Sequence, residues 1–273
     1  LCGGVDAATE RIDSKTEAEK IAGACLNGQA RVTSVAKEEK MVAPPKLYDL
    51  TTLQRDANRL FGFTAKQTLE YMQSLYEKKL CTYPRTDSQF LSDDMQVTAE
   101  NVIRAIFGSM TFVPQVVFNP DIQRMLNSKK VTDHHAIIPT VEIALADLKA
   151  LPETERKILS LVANRLLCAT GEKHLYETVK AELTCGGSVF KASGKSVLRN
   201  GWKDFEEAFK KSFKTTEEKD AEEKKLPELR EGMTFDGVQT KISEHYTTPP
   251  KHFTDVIHFE SRQWKYSKCK GAG

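Results

Sequence analysis

From Thr82 to Ser88 the chain reads Thr-Tyr-Pro-Arg-Thr-Asp-Ser, which places a phenol two residues from a permanent cation and among short polar groups. A free tyrosine titrates at about pH 10, so it is a weak nucleophile at neutral pH unless a neighbour takes or shares its proton. Arg85 keeps its charge at any working pH, and its planar fork matches a pair of phosphate oxygens. Pro84 restricts the backbone between them and removes an amide donor. These residue types suit a tyrosine that attacks a phosphodiester, with arginine steadying the charge that develops on phosphorus. The plainer reading is a surface tyrosine in a Tyr-Pro turn.

A second segment reads Thr132-Asp133-His134-His135-Ala136-Ile137-Ile138-Pro139-Thr140. Histidine is the side chain best suited to moving protons near neutrality. A histidine pair can equally be structural, and a metal would need third and fourth ligands that the neighbouring residues do not supply.

These two segments, in this order and at this separation, resemble the type IA DNA topoisomerases, in particular the topoisomerase III branch. Further stretches follow the family's order: Asp49-Leu50-Thr51-Thr52-Leu53-Gln54-Arg55, Arg59 to Ala65, Ala192-Ser193-Gly194-Lys195 with Gly201-Trp202, and Thr247 to Thr254. The resemblance covers about residues 1 to 255. It implies an α+β fold in which a helical catalytic domain is inserted into a β-rich arch. It also implies a reaction without ATP: Tyr83 attacks single-stranded DNA, forms a 5′-phosphotyrosyl ester and frees a 3′-hydroxyl until the break is resealed after strand passage. Arg85 then holds the scissile phosphate, and His134, the histidine matching the motif, assists by hydrogen bonding. His135 is left to packing. Gln73 and Glu77 match a family glutamine and glutamate ahead of the tyrosine and are expected at the DNA. Thr82, Thr86, Asp87 and Ser88 are expected to position phosphate or orient Arg85.

The family's Mg²⁺ is held by a Toprim domain, and no Asp-x-Asp pair in a matching strand context occurs in this chain. No metal ligand is therefore assigned here, and half of the active site is expected elsewhere in a longer protein. The resemblance further implies single-stranded DNA and the Toprim domain as partners, a monomer, and a bacterial cytoplasmic setting at the nucleoid. The chain alone is expected not to relax supercoiled DNA. Two alternatives remain: a non-catalytic single-stranded DNA-binding module with Tyr83 as a stacking platform, and a recombinase-like strand transferase of opposite phosphate polarity. The latter usually gathers several arginines, whereas only Arg85 lies close in sequence.

Composition is compatible with this reading without requiring it. The chain has 273 residues, 40% of them hydrophobic, and a formal charge of +2, so DNA binding cannot be inferred from net charge. Bases exceed acids over residues 191–214, while 215–232 is acid-rich. Cysteines 2, 25, 81, 168, 185 and 269 are scattered without a Cys-x-x-Cys pair, which argues against a zinc ribbon or a disulfide framework and fits a reducing compartment. Cys81 is expected to be a small buried hydrophobe. No apolar run reaches membrane-spanning length.

The elements that must position the motif residues follow from caps and periodicity. Leu1 to Val5 reads as the end of a strand and the chain as an excised piece. Ser14 caps a helix over 14–27, residues 30–41 form a strand, and Ala43-Pro44-Pro45 makes a hinge. Thr64, with Gln67 three residues on, starts the helix that leads to Tyr83. Its core stripe is Leu69, Met72, Tyr76 and Leu80, with Leu75 at the border and Gln73 and Glu77 stacked along the edge. Ser92 caps a helix to Phe107, stopped by Gly108. Thr111 to Pro120 is a packed loop, and a helix from Pro152 to Ala169 buries Ile158, Leu159, Val162, Leu166 and Leu167. Residues 176–185 and 188–198 form a hairpin about Gly186-Gly187, with a bulge or a further tight turn expected at Gly194. A short helix over 204–213, disorder at 214–225 and a strand over 233–245 complete the reading. The expected divisions are an arch at 1–48 and 174–250, a helical domain at 49–173, and a later domain or tail at 251–273.

Overall fold

The computed structural model describes residues 2–4, 12–213, 228–244 and 246. The expected disorder at 214–225, the Thr247–Thr254 motif and the tail beyond it lie outside these residues. The chain forms two compact units. One draws on Leu1–Val42, Leu175–Arg199 and Lys219–Pro249, the other on Ala43–His174, Asn200–Glu218 and Pro250–Gly273.

Among the described residues the first unit is a five-stranded sheet with one helix. Its strands are β1 (Cys2–Gly4), β2 (Ala30–Val42), β3 (His174–Cys185), β4 (Ser188–Arg199) and β5 (Thr234–Phe235), in the order β1-β4-β3-β2-β5. β3 and β4 pair antiparallel down to Cys185 and Ser188, and Gly186 and Gly187 close the turn with φ of 55° and 78°. Two consecutive left-handed residues give the turn the twist of the strands, and glycine adopts that conformation without a steric penalty. At Gly186 there is also no room for more, since a Cβ would stand 2.7 Å from the Ala24 carbonyl oxygen. Gly194 carries no bulge and pairs regularly with Val179. The irregularity is at the other end of the hairpin, where Tyr176 faces Val197 but Leu175 faces Arg199. The strand expected over 233–245 shrinks to Thr234 and Phe235, because the left-handed Gly237 (φ 67°) turns the chain just beyond them. The helix α1 (Lys15–Cys25) starts at Ser14, whose side chain accepts from the Glu17 amide.

The second unit is helical, with α2 (Leu50–Phe61), α3 (Ala65–Glu77), α4 (Gln96–Ser109), α5 (Glu153–Ala169) and α6 (Lys203–Phe213). Sequence reading assigned no helix to 50–61, yet its punctuation is clear. Asp49 and Thr52 form a reciprocal cap, and Gly62 closes the helix at φ 71°. In α5 the buried side is wider than the single stripe expected. Every residue from Ile158 to Ala169 except Arg165 is buried, because α2, α3, α4 and α6 all pack on it. α6 buries Phe205 and Phe209 in this helical core, so the expected arch segment 174–250 is interrupted by a return to the helical unit. Ser92 makes no capping bond; a 3₁₀ turn at Asp93–Met95 precedes α4, which runs through Gly108 to Ser109. Within the expected packed loop, Phe112 is buried but Val116 and Val117 face solvent.

Candidate active site

The helix α3 begins with the expected reciprocal cap: the Gln67 amide donates to Thr64 Oγ1 (3.2 Å) and the Thr64 amide to Gln67 Oε1 (2.9 Å). Its buried face is Thr68, Met72 and Leu75, which turns the helix away from the expected stripe. Leu69 is half-buried and Tyr76 is 40% exposed. α3 ends at Glu77, and just beyond it Lys79 takes a left-handed φ of 62°, while the Leu80 amide reaches back to the Leu75 carbonyl at 2.9 Å. The chain is thereby redirected into a short extended pairing with the histidine segment. The Thr82 amide donates to the Ile138 carbonyl (2.9 Å), the Thr140 amide to the Leu80 carbonyl (3.0 Å), and Cys81 bridges to Pro139. Ala136, Ile137 and Ile138 are at most 1% exposed, so the apolar run anchors this segment in the core and carries the two histidines at its edge.

The two motifs, 50 residues apart in sequence, thus meet at Tyr83. Its half-buried ring packs on the His134 ring with centroids 4.4 Å apart and planes tilted by 44°. On another side the Tyr76 ring meets it edge-on at 5.4 Å. Sequence reasoning missed Tyr76 as a site residue because its spacing suits the core. The available signal was its phenol, which favours a position with one end in water. Among the described residues, Arg85 makes no ion pair or hydrogen bond and its side chain is exposed. The neighbouring Pro84 is buried.

Three of the expected DNA-contacting hydroxyls are otherwise committed. Thr82 Oγ1 accepts from the Ile138 amide (3.0 Å) and donates to the Ala136 carbonyl (3.3 Å). Thr86 Oγ1 donates to the His134 carbonyl (2.8 Å) and accepts from the Ser88 amide (3.1 Å). Ser88 Oγ donates to the Lys130 carbonyl (2.9 Å) and accepts from the Phe90 amide (3.1 Å). Thr86 and Ser88 are also buried, at 8% and 4% exposure. In this structure the three hydroxyls brace main chain, each with its donor and one acceptor site occupied by backbone. Asp87 is exposed and accepts from Thr132 Oγ1 at 3.1 Å. Gln73 and Glu77 bond to each other (3.1 Å) and not to Tyr83. His135 Nδ1 lies 2.8 Å from the Ala136 carbonyl.

Other groups near the site are chemically quiet. Burial pushes the Cys81 thiol far above its ordinary value, so this cysteine stays protonated two residues from Tyr83. Tyr48 is likewise held as a neutral phenol, chiefly by burial; it donates to Asp56 Oδ2 at 2.7 Å and accepts from Arg165 at 2.8 Å. Arg165 also pairs with Asp56 and covers the Tyr48 ring at 4.1 Å. Among the described residues no three His, Cys, Asp or Glu side chains gather as a metal centre.

The helical unit thus holds a phenol against an imidazole, with an exposed guanidinium two residues along the chain. The family described as DNA topoisomerase matches residues 4–256, and this chain belongs to that family, in its type IA class. Within the class its likeness is to the topoisomerase III branch. It is 38% identical to DNA topoisomerase 3 of Bacillus subtilis over 236 residues, covering 83% of this chain and 31% of that protein. With DNA topoisomerase 3 of Bacillus licheniformis it shares 40% over 248 residues, 86% of this chain and 32% of the relative. The chain therefore spans about a third of the length of these curated relatives. The crystal structure of full-length topoisomerase I from Thermotoga maritima superposes with a TM-score of 0.69 over 96% of this chain and 41% of its own, at 23% identity. That likeness supports the α+β fold.

Proposed function

We propose that this chain is the strand-cleaving part of a type IA topoisomerase, with Tyr83 as nucleophile toward single-stranded DNA. The observation that carries the reading is the packing of the Tyr83 ring on His134, two residues from an exposed Arg85 that has no ion pair among the described residues. The Tyr83 oxygen forms a bond to phosphorus, and the bond from phosphorus to the 3′ oxygen breaks with its electron pair passing to that oxygen. The phenol proton leaves during attack, and the departing 3′ oxygen gains one. The product is a 5′-phosphotyrosyl ester and a 3′-hydroxyl, and reversal reseals the strand without ATP.

Arg85 is exposed and pairs with no acid among the described residues, so its fork is available to two phosphate oxygens as negative charge builds. His134 packs against the phenol ring, which restricts the direction of attack and leaves its ring nitrogens free to bond the phosphate. Gln73 and Glu77, joined on one face of α3, offer an amide and a carboxylate for the strand that approaches Tyr83. Asp87 orients the turn through Thr132.

The described residues do not fit a Mg²⁺ centre, because their acids near Tyr83 stand apart or are bonded elsewhere. In this reading the ion and the remaining acids come from a Toprim domain of the same protein, in a bacterial cytoplasm, and the chain alone does not relax supercoiled DNA. Among the described residues no helix is long and apolar enough to cross a membrane. The test is an end-labelled single-stranded oligonucleotide incubated with the chain joined to a Toprim domain and Mg²⁺. A 5′-linked adduct that disappears in Tyr83→Phe is expected. Binding without adduct would make the chain a DNA-binding module, and a 3′-linked adduct would mark recombinase-like chemistry; either result overturns the proposal.

A further inference from the structure

Seven residues beyond Tyr83, the half-buried Phe90 ring has two lysines over it, with Lys130 Nζ 4.6 Å and Lys46 Nζ 5.4 Å from its centroid. The two ammonium groups are therefore no more than about 10 Å apart, near the screening length of about 8 Å at physiological salt, so they repel weakly. Both side chains are exposed, and neither forms an ion pair with a described acid. Cation–π attraction to one ring at exposed sites is worth only about 0.5–1 kcal/mol, so it gives little reason to hold two unpaired cations together. An anion at this place would relieve the repulsion.

The patch is rigidly built. The Phe90 amide donates to Ser88 Oγ, and the same hydroxyl donates to the Lys130 carbonyl at 2.9 Å, locking Lys130 beside the ring. The Leu91 amide bonds the Met125 carbonyl, and the Asn127 amide returns to the Leu91 carbonyl, each at 2.8 Å. The patch is also tied to the candidate active site. The Phe90 carbonyl accepts from the Ala136 amide at 2.9 Å, while the Ala136 carbonyl accepts from Thr82 Oγ1, next to Tyr83. Seven extended residues span at most about 25 Å, a few nucleotides of a single strand.

We propose that Phe90, Lys46 and Lys130 form a subsite for single-stranded nucleic acid, in which the ring stacks on a base and the lysines hold the adjoining phosphates. Aromatic faces accept any base, and flanking cations track the backbone, so the subsite grips a strand without reading its sequence. The inference rests on the reading that Tyr83 acts on such a strand, and it extends the bound segment past Arg85.

The test is fluorescence anisotropy of a labelled single-stranded oligonucleotide titrated with this chain across a salt series. Removing both phosphate contacts in Lys46→Gln/Lys130→Gln should lower the slope of log affinity against log salt by about 1.4. Phe90→Leu, which keeps an apolar side chain in place, should weaken binding by about five-fold or more with the slope unchanged. Lys66→Gln/Lys149→Gln serves as the control for bulk charge and should leave the slope as in the parent. No binding, an unchanged slope in the Lys46/Lys130 variant, or an equal loss in the control overturns the subsite. Adduct formation in the Toprim-joined protein is read separately. Adduct with lysine-independent binding defeats the subsite alone, whereas lysine-dependent binding without adduct defeats the Tyr83 chemistry alone.

Discussion

Replacing Thr86 with valine tests whether the site is held by hydroxyl braces rather than by contacts to DNA. Valine keeps the shape of threonine but deletes two bonds, to the His134 carbonyl (2.8 Å) and from the Ser88 amide (3.1 Å). Ser88 is 4% exposed, so its amide loses its partner where water cannot replace it, at about 1–3 kcal/mol. His134 is exposed and its carbonyl can recover a bond to water, which limits that part to about 1 kcal/mol. The sum is about 2–4 kcal/mol. With a urea slope of about 1–3 kcal/mol per molar, the unfolding midpoint of the helical unit should fall by about 1–2 M, followed by helical ellipticity. Thr86→Ser retains both bonds and should lose less than about 1 kcal/mol. In the Toprim-joined protein, the valine variant should also lose adduct yield while the serine variant keeps it, since the brace links the Tyr83 run to His134. A valine variant as stable as the parent, or a serine variant as damaged as the valine one, would refute the reasoning.

Two further predictions concern groups that hold the unit together. Arg165→Met leaves the Asp56 carboxylate, whose side chain is 18% exposed, with only Tyr48 and Arg59 as partners, so a loss of about 2–4 kcal/mol is expected in urea unfolding. Adding Asp56→Asn should recover part of that loss, and a double variant weaker than Arg165→Met would contradict the charge argument. Burial, the first cause in each case, raises the Cys25 thiol from 9.0 to about 11 and the Cys168 thiol from 9.0 to about 12. Since the folded forms hold their protons more tightly, this stabilisation is complete below about pH 9 and is lost as pH rises through about 11 to 12. Denaturant midpoints measured from pH 8 to pH 11 should therefore fall less in Cys25→Ala/Cys168→Ala than in the parent. Fast reaction of either cysteine with a thiol reagent in the native protein would exclude the burial.

Local chemistry was readable where one residue type admits one solution. Thr64 with Gln67 announces a helix start, and both form their cap bonds. Gly186-Gly187 between alternating runs announces a tight hairpin, and both residues are left-handed. The Tyr83–Arg85 run and the His134 segment were legible as chemistry-bearing pieces. Less legible was the direction of side chains with two good options. Tyr76 fits a core stripe by spacing, but its ring stands at the surface against Tyr83. The hydroxyls of Thr82, Thr86 and Ser88 could have faced a phosphate, and instead they bond main chain. The burial of α5 on nearly all sides from Ile158 to Ala169 was hidden because periodicity shows which side is apolar, not how many neighbours surround the helix.

By itself, then, the order of residues determined the caps at Ser14 and Thr64 and the Gly186-Gly187 hairpin turn. Those features depend on interactions within a few positions along the chain. Only the tertiary structure decided that Tyr83 and His134 share a ring contact, that Arg85 has no ion pair among the described residues, and that Phe90 has two lysines over its ring. The physical reason is that burying Ala136, Ile137 and Ile138 forces distant segments into register, and the polar groups at their edges are positioned as a consequence.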